Sequence, residues 1–333
     1  MDSLTQIVLG AAVGEVVLGK KVGNKAALYG AIAGTIPDLD VLSRSFVDIV
    51  TATEWHRGFS HSIIFSCLMA VPLGWLISKI ERRSPANYRD WSKLMFWGLL
   101  THPILDMFTT WGTQLFWPLD WRIAFKNIFV IDPLYTLPFL ILLILALRLP
   151  RTSPRRRKLN KLGILFSSSY LLITLILKGI TYKKFEISLK EQGIVYSEIS
   201  TRTTPFNSLL WTANVDIGDA YLIGNYSLFD TKPILFRRFS KDHQLLGELV
   251  TNEKVQRLIA IAQGWYIISK VNDQLLFNDL RFGLISLDPG EGNFVFSYIL
   301  SPDGDELSIE ETPKTETDVN KLFSVLWGRI WGN

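Results

Sequence analysis

Long apolar stretches in the first half of the sequence constrain the fold more than any other feature. Residues 62–80 read SIIFSCLMAVPLGWLISKI, and residues 162–180 are similarly apolar. About 20 such residues make a helix long enough to cross a bilayer. Beyond residue 180 the sequence changes to mixed polar and β-branched residues. We therefore predict a helical membrane domain over residues 1–180 and a small soluble α+β domain over residues 181–333.

The membrane domain is predicted to be polytopic, with about six membrane segments. The first two are short and rich in glycine and alanine, and they form a tight hairpin that is either re-entrant or fully inserted. A connecting segment follows at residues 41–55. The six predicted segments are 4–19, 26–36, 62–80, 94–110, 130–149 and 162–180.

Lysine and arginine cluster in the turns near residues 20, 85 and 155. Cytoplasmic loops of membrane proteins are enriched in these cations, so we expect these turns to be cytoplasmic. The soluble domain is then extracytoplasmic, and the protein lies in a bacterial inner membrane. The net charge of +4 is explained by topology, and we expect membrane lipids but no nucleic acid as partners.

The soluble domain is predicted to contain a mostly antiparallel sheet and two helices. Alternating residues indicate strands at 185–189 and 221–228, and turns are expected at Gly218-Asp219 and Gly224-Asn225. The predicted helices are 250–262 and 317–330. We find no catalytic motif there, and His243 is interpreted as a surface residue. Cys67, the single cysteine, excludes a disulfide framework and a thiolate metal site.

Three of the four histidines lie in the membrane half, which also contains the Asp38-x-Asp40 motif and Asp106. In the predicted topology these polar groups all fall near the outer ends of the second, third and fourth segments. We expect them to converge in one membrane leaflet as candidate metal ligands. The six residues are Asp38, Asp40, His56, His61, His102 and Asp106.

The spacing within each motif fits this convergence. His102 and Asp106 are four residues apart and share one helical face. Gly58 lets the backbone turn between His56 and His61. Pro37, which disfavours helix at the preceding residue, indicates an extended segment whose two aspartates, two residues apart, point to the same side. Separately, Asp-x-Asp is also typical of a cap or turn, and a histidine in an apolar helix is often simply packed.

Imidazole and carboxylate together suit zinc, manganese or ferrous iron, whereas calcium and magnesium prefer oxygen ligands. The donors suffice for one tetrahedral ion plus a base, or for two bridged ions. Arg57 has three interpretations: it binds an anionic group, pairs with Glu54, or lies among headgroups. Ser60 and Ser62 are possible nucleophiles, but a helix-capping role is favoured for Ser60.

Several short motifs in the first 120 residues combine in a specific pattern. They are Met1-Asp2-Ser3-Leu4-Thr5, Pro37-Asp38-Leu39-Asp40, His56 to Ser62, His102-Pro103-Ile104-Leu105-Asp106, Gly112 and Phe116-Trp117-Pro118. Together these motifs resemble the YdjM-like family of inner-membrane proteins, described as membrane-bound metal-dependent hydrolases. The resemblance covers about residues 1–150 and implies a hydrolase in which the six Asp and His residues are candidate ligands. Relatives often have histidine where this chain has Gln6, which is a departure from the pattern.

We therefore expect a membrane-bound metal-dependent hydrolase, with zinc foremost and manganese or iron as alternatives. Asp38, Asp40, His61 and Asp106 are expected to take part in catalysis, and Arg57 in substrate binding. Nearby aromatic residues favour an amphiphilic or lipid-linked ester or phosphoester as substrate; they are Trp111, Phe116, Trp117 and Trp121. Two alternatives remain. In one, the metal is bound without turnover, for structure, sensing or transport; in the other, the soluble domain is the functional part.

Overall fold

A computed structural model describes residues 1–288, 292–303, 306–313 and 319–333 of the chain. It divides into two compact units. The first comprises residues 1–43, 55–177 and 205–208, and the second comprises residues 44–54, 178–204 and 209–333.

The first unit is helical. Two short 3₁₀ helices lie between the second and the fourth α-helices of the chain; they are Ile36–Ser45 and Phe59–His61. The last helix continues into the second unit from Lys178 onward. The α-helices, in chain order, are α1 (Ser3–Val22), α2 (Asn24–Thr35), α3 (Ile49–Trp55), α4 (Ile63–Ile80), α5 (Tyr88–Asp106), α6 (Pro133–Leu147) and α7 (Pro154–Glu191).

Three helices in the described chain are long and apolar enough to cross a membrane: α1, α4 and α7. In the most apolar 18 residues of α4 and α7, only 22% and 17% are buried inside the protein. Side chains such as Leu68 and Ile176 face outward, as expected of lipid-exposed helices. α6 is apolar but shorter, and α5 has charged residues in its first two turns. The helical membrane character is therefore confirmed, while the predicted number of six segments is not.

Glycines allow α1 and α2 to pack closely as a hairpin. A Cβ atom at Gly10 would lie 2.3 Å from the Gly30 carbonyl oxygen, and one at Gly30 would lie 2.2 Å from the Gly10 oxygen. No side chain fits at such a distance, so the two backbones are in direct contact. This contact places the end of α2 beside the first turns of α1.

A buried ion pair joins α1 to the start of α7. The Arg156 guanidinium donates to both Glu15 carboxylate oxygens, at 2.7 and 2.6 Å. Its remaining nitrogen donates to Asn24 Oδ1 and to the Leu149 carbonyl. Both charged side chains are 2% exposed. This pair is balanced in charge and bidentate, the geometry in which a buried ion pair is best satisfied.

The second unit contains two four-stranded antiparallel sheets, in the orders β1-β2-β3-β4 and β5-β6-β7-β8. Two α-helices accompany them, α8 (Glu253–Ile261) and α9 (Val319–Ile330). The strands are β1 (Glu198–Thr203), β2 (Leu210–Asp216), β3 (Ala220–Ser227), β4 (Phe236–Ser240), β5 (Tyr266–Val271), β6 (Gln274–Leu284), β7 (Phe294–Asp303) and β8 (Glu306–Glu311).

The predicted antiparallel pairing and both predicted helices of this unit are confirmed, but the strands form two sheets where one was predicted. Residues 317 and 318 of the second predicted helix lie outside the described residues. Gly218-Asp219 forms the β2–β3 turn. Two local predictions were wrong. Residues 185–189 belong to α7, where Phe185 and Leu189 are fully buried one turn apart. Gly224-Asn225 lies within β3, because both residues pair in register with β2.

The predicted connecting segment at residues 41–55 contains α3, which packs in the second unit. Val50 is fully buried in an apolar core with side chains of β5, β6 and α8, including Ile268, Phe277 and Val255. Asp48 caps α3 by accepting hydrogen bonds from the backbone of Val50 and Thr51.

Candidate metal centre

Three elements bring together four of the polar residues singled out above. Asp38 lies in the 3₁₀ helix after α2, and His61 ends the 3₁₀ helix before α4. His102 and Asp106 lie in the last turn of α5. One ligand atom from each of these four residues lies within 4.8 Å of the others. The side chains of His61, His102 and Asp106 are fully buried, while that of Asp38 is 25% exposed.

Five of the six distances between these atoms are short and nearly uniform, and all four atoms lie within 4.8 Å of one another. Nε2 of His61 lies 3.1 Å from Nε2 of His102. Asp38 Oδ1 lies 3.5 Å from the first of these nitrogens and 3.3 Å from the second. Asp106 Oδ2 lies 3.4 and 3.6 Å from the same two atoms. Two zinc ligands with bonds of about 2.0–2.1 Å on a tetrahedron lie about 3.3 Å apart, so these residues fit a tetrahedral ion.

The hydrogen bonds of the other imidazole nitrogens fix the orientation of both rings. Nδ1 of His102 lies 2.6 Å from the Gly34 carbonyl, which only accepts, so Nδ1 is the protonated nitrogen. Nδ1 of His61 donates to Ser60 Oγ at 2.9 Å, and Ser60 donates onward to Asp40 Oδ2 at 3.0 Å. In the neutral rings both Nε2 atoms therefore present lone pairs toward one point. Such an arrangement is unfavourable without a cation and typical of metal-binding histidines.

Asp40 and His56 lie next to this cluster, outside its four ligand atoms. Asp40 Oδ1 lies 3.0 Å from His56 Nδ1, and Oδ2 lies 3.4 Å from His61 Nδ1. Oδ2 also accepts from the Arg57 backbone N–H at 2.8 Å. Burial alone would raise the pKa of Asp40, but the hydrogen bond with His56 and the nearby imidazoles hold it below its ordinary value. Asp40 thus supports the backbone and the ring that present His61.

The extended conformation predicted for Asp38 and Asp40 was wrong, because both lie in a 3₁₀ helix. Successive residues there are about 120° apart around the axis, so two residues at this spacing point to different sides. Asp38 consequently faces the Nε2 atoms of His61 and His102, whereas Asp40 faces Nδ1 of His61. Although burial opposes it, these two imidazoles also hold the pKa of Asp38 well below its ordinary value.

The turn between His56 and His61 depends on two residues. Arg57 adopts a left-handed backbone conformation with φ of +58°. A Cβ atom at Gly58 would lie 3.0 Å from the Trp55 carbonyl oxygen, so glycine is favoured there. The predicted cap at Ser60 was wrong: Ser62 caps α4 by accepting from the Phe65 N–H, and Ser60 instead bonds Asp40 and His61. The direct sequence neighbourhood of Ser60 and His61 was the signal from which this contact could have been predicted.

Asp106 is surrounded by donors that the sequence motifs did not all identify. Arg57 Nε lies 3.1 Å from Asp106 Oδ2, and another guanidinium nitrogen donates to Thr109 at 2.8 Å. Gln6 Nε2 donates to Asp106 Oδ1 at 3.0 Å, so this departure from the family pattern lies at the site. The Met1 ammonium also pairs with Oδ1. Glu54, the alternative partner considered for Arg57, binds Arg257.

Aromatic side chains pack against His56 and Phe59, next to the polar cluster. Trp111 packs edge-on against His56, with ring centres 5.3 Å apart, and donates to the His56 carbonyl. Phe116 and Trp121 stack on each other, and Trp117 packs against Phe59. Phe116, Trp117 and Trp121 are 41%, 37% and 59% exposed. An apolar surface therefore adjoins the polar cluster.

The first unit thus defines a helical membrane protein with a buried cluster of Asp and His residues able to hold a metal ion. The chain belongs to the YdjM inner membrane protein family, whose sequence profile matches residues 1–181. This match confirms the family that the motifs resemble and supports an inner-membrane location.

Two kinds of curated relative illustrate the match. Inner membrane protein YbcI of Escherichia coli (strain K12) is 38% identical over 107 residues, which are 31% of this chain and 59% of that protein. Inner membrane proteins YdjM of Escherichia coli (strain K12) and Shigella flexneri are each 40% identical over 73 residues, or 20% of this chain and 32% of theirs. The chain therefore covers less than two thirds of the length of these relatives. No solved structure matches the chain.

Proposed function

We propose that the protein is a membrane-bound metal-dependent hydrolase whose divalent ion, zinc foremost, is held by His61, His102 and Asp106, with Asp38 as a fourth donor that can act instead as general base. The observation that supports this most strongly is the pair of Nε2 atoms 3.1 Å apart, with lone pairs directed to one point. Five donor-to-donor distances between 3.1 and 3.6 Å agree with the edges of a tetrahedral site. Manganese and iron remain alternatives with the same donor types.

Each residue has a definable role in such an enzyme. A divalent ion bound here supplies Lewis acidity and lowers the pKa of water. Asp38 is the most accessible of the four donors, which suits it to accept a proton as general base. Asp40 acts through Ser60 to keep the His61 ring in position. The Arg57 guanidinium beside Asp106 offsets part of the negative charge.

The surroundings favour an amphiphilic, anionic substrate. Arg57 places a guanidinium at the cluster, and planar guanidinium groups bind phosphate and carboxylate well. The exposed aromatic residues Phe116, Trp117 and Trp121 suit an acyl or isoprenoid chain at a membrane interface. A lipid-linked ester or phosphoester satisfies both requirements. In the topology set by the basic loops, the site and the second unit are extracytoplasmic.

Metal analysis with matched histidine variants tests the metal site. The full chain is purified in detergent, and its zinc, manganese and iron are quantified by mass spectrometry. We expect about one metal ion per chain, and loss of it in His61→Ala because a donor is removed. His243→Ala, the fourth histidine, serves as the control and keeps its metal. Equal metal content in both variants would contradict the proposal.

Turnover is then measured with phosphoesters, lipid esters and amides as probe substrates. We expect hydrolysis of at least one class by the metal-loaded protein, with loss on chelation and in His61→Ala. Undiminished hydrolysis by metal-free protein would contradict the proposal that hydrolysis depends on the metal.

A second candidate function is metal binding without turnover, for structure, sensing or transport. It is favoured by one observation: the cluster offers four protein donors, as structural zinc sites do, whereas catalytic sites usually keep one position open. Asp38→Asn separates the two. An enzyme that uses Asp38 as base keeps its metal and loses turnover, while a four-ligand structural site loses metal affinity.

A further inference from the structure

The second unit contains a buried cluster of charged residues distinct from the metal centre. Arg281 and Asp279, on β6, are 3% and 2% exposed, and Arg202, on β1, is 7% exposed. Arg281 binds Asp279 with two guanidinium nitrogens, Nη2 at 2.7 Å and Nε at 3.1 Å. The carboxylate of Asp279 is thereby already matched to one arginine.

Arg202 is the unmatched member of this cluster. Within the described residues its guanidinium makes no hydrogen bond and no ion pair within 4.0 Å; Asp279 influences it only through space. Burial lowers the pKa of Arg202 to about 10, which leaves it charged at neutral pH. A buried charge without a hydrogen-bonding partner is strongly unfavourable.

An irregularity in β6 makes room for this guanidinium. The pairing of β6 with β7 shifts between Asp279 and Leu284, which indicates a bulge. Gly283 lies in it with φ of +72°, and a Cβ atom there would fall 1.8 Å from Arg202 Nη2. Any other residue would displace the arginine. Bulges of this kind are common next to binding sites.

Polar groups of the first sheet adjoin the bulge. Asn214, on β2, donates to the Leu280 carbonyl at 2.8 Å, which ties β2 to the irregular part of β6. Its buried Oδ1 has no hydrogen-bond partner in the described residues. Arg202 pairs in register with Thr212, two residues from Asn214, so both polar side chains lie on one face of the sheet.

We propose that Arg202, beside the β6 bulge, forms a binding site for a small oxyanion, a carboxylate or phosphate group. Such a group supplies the paired acceptors that a guanidinium binds in bidentate fashion. The 7% exposure of Arg202 provides a narrow route for an ion rather than for a chain. This site is independent of the metal centre and of hydrolysis.

Thermal unfolding of the full chain in detergent tests the site. Inorganic phosphate and acetate are titrated separately at constant ionic strength against chloride, with intrinsic fluorescence as readout. We expect a saturable increase in unfolding temperature with at least one of them. Both anions acting alike indicates any oxyanion, and phosphate alone indicates a phosphate group. No saturable increase with either would overturn the proposal.

Substitutions locate the effect. In Arg202→Met the apparent affinity should fall about 10- to 100-fold, the value of hydrogen bonds to a charged group. Arg238→Met is the matched control, since Arg238 lies on β4 of the same sheet and is 55% exposed. Phosphate also binds metals, so His61→Ala must keep the response. An unchanged response in Arg202→Met would contradict the assignment.

Arg202→Met has a second readout in the absence of added oxyanion. Removing an unmatched buried charge should leave the unfolding temperature equal or higher, whereas removing a structurally paired arginine lowers it. Arg202→Lys, which keeps the charge without the planar fork, should retain a weaker response to phosphate. A lowered unfolding temperature in Arg202→Met together with no response in Arg202→Lys and the parent chain would overturn the proposal.

Discussion

The two units bury unmatched polar groups of opposite character. In the first, the cluster of Asp38, His61, His102 and Asp106 has a surplus of lone pairs directed to one point. In the second, the Arg202 guanidinium has no hydrogen-bond partner among the described residues, and the nearby Asp279 carboxylate binds Arg281. Burying a polar or charged group without a partner is unfavourable. Whether the unmatched group is an acceptor or a cation therefore indicates the kind of ligand that would bind it. The first unit is suited to a cation and the second to an anion.

The Glu15–Arg156 pair is the reference for both clusters. It is as deeply buried, but each charged group is matched by the other with two hydrogen bonds. No surplus remains, and we assign it no ligand. Burial of charge alone therefore does not indicate a binding site; an imbalance within the buried set does.

The largest effect is expected from unbalancing this reference pair. Arg156→Met leaves Glu15 buried without a partner, which should cost about 3–5 kcal/mol. The full chain in detergent should unfold at a markedly lower temperature. The neighbouring Arg155 is exposed, and Arg155→Met is expected to have little effect.

A double variant that removes both charges is compared with Arg156→Met. The double variant Glu15→Gln, Arg156→Met contains no buried charge at this position and should recover much of the lost stability. If the double variant is as unstable as Arg156→Met, packing rather than charge imbalance explains the loss, and the contrast between matched and unmatched clusters weakens.

A smaller effect is expected from Asp40→Asn, which tests how the first cluster is supported. Asp40 contacts the metal-facing ring of His61 only through Nδ1 and Ser60. Loss of such an outer carboxylate typically weakens metal affinity about 10- to 100-fold. We therefore expect weaker zinc binding with unchanged stoichiometry in a competition titration against a chelating dye.

Asp120→Asn is the control for this titration, because Asp120 is exposed in the same unit and accepts a hydrogen bond from Gln114. Loss of zinc stoichiometry in Asp40→Asn would instead make Asp40 a direct ligand. Unchanged affinity would show that the orientation of His61 does not depend on it.

Much of the candidate site was predictable because its motifs have local periodicity. His102 and Asp106 share a helical face at four-residue spacing, and their side chains do meet in the cluster. The distinction between Asp38 and Asp40 was not predictable, since it depends on a 3₁₀ rather than extended backbone. The carbonyl of Gly34 was also undetectable, because any residue type provides a carbonyl.

The fold was predictable to a similar extent. Apolar length identifies α4 and α7, whereas the sequence of Phe185 to Leu189 alternates like a strand and is held in helix by burial of two apolar residues. The packing of α3 in the second unit has no local signal. It depends on contacts of Val50 with side chains more than 200 positions later, such as Val255.

The remaining histidine gives the smallest predicted effect. His243 was expected to be a surface residue, but it is half-buried. Its ring stacks on that of Tyr266, with ring centres 3.9 Å apart, and its Nε2 donates to the Tyr266 carbonyl. Burial lowers its pKa and Lys241 acts in the same direction, whereas the hydrogen bond to the Tyr266 carbonyl and the charges of Asp216 and Asp242 oppose this shift. Its imidazole is thus satisfied as a neutral group, in contrast to the lone pairs of the metal centre.

The lowered pKa of His243 determines how the stability of the folded protein changes with pH. The unfolded chain, with an ordinary histidine pKa near 6.5, takes up the proton before the folded chain does, so acid favours unfolding. The contribution of His243 is complete above about pH 6.5 and is lost as the pH falls through its lower folded-state pKa. His243→Gln should therefore flatten the decline in unfolding temperature below this pH, measured against the parent chain. A steeper decline in His243→Gln would mean that the folded protein prefers the protonated ring, and this imidazole would then belong with the unmatched groups.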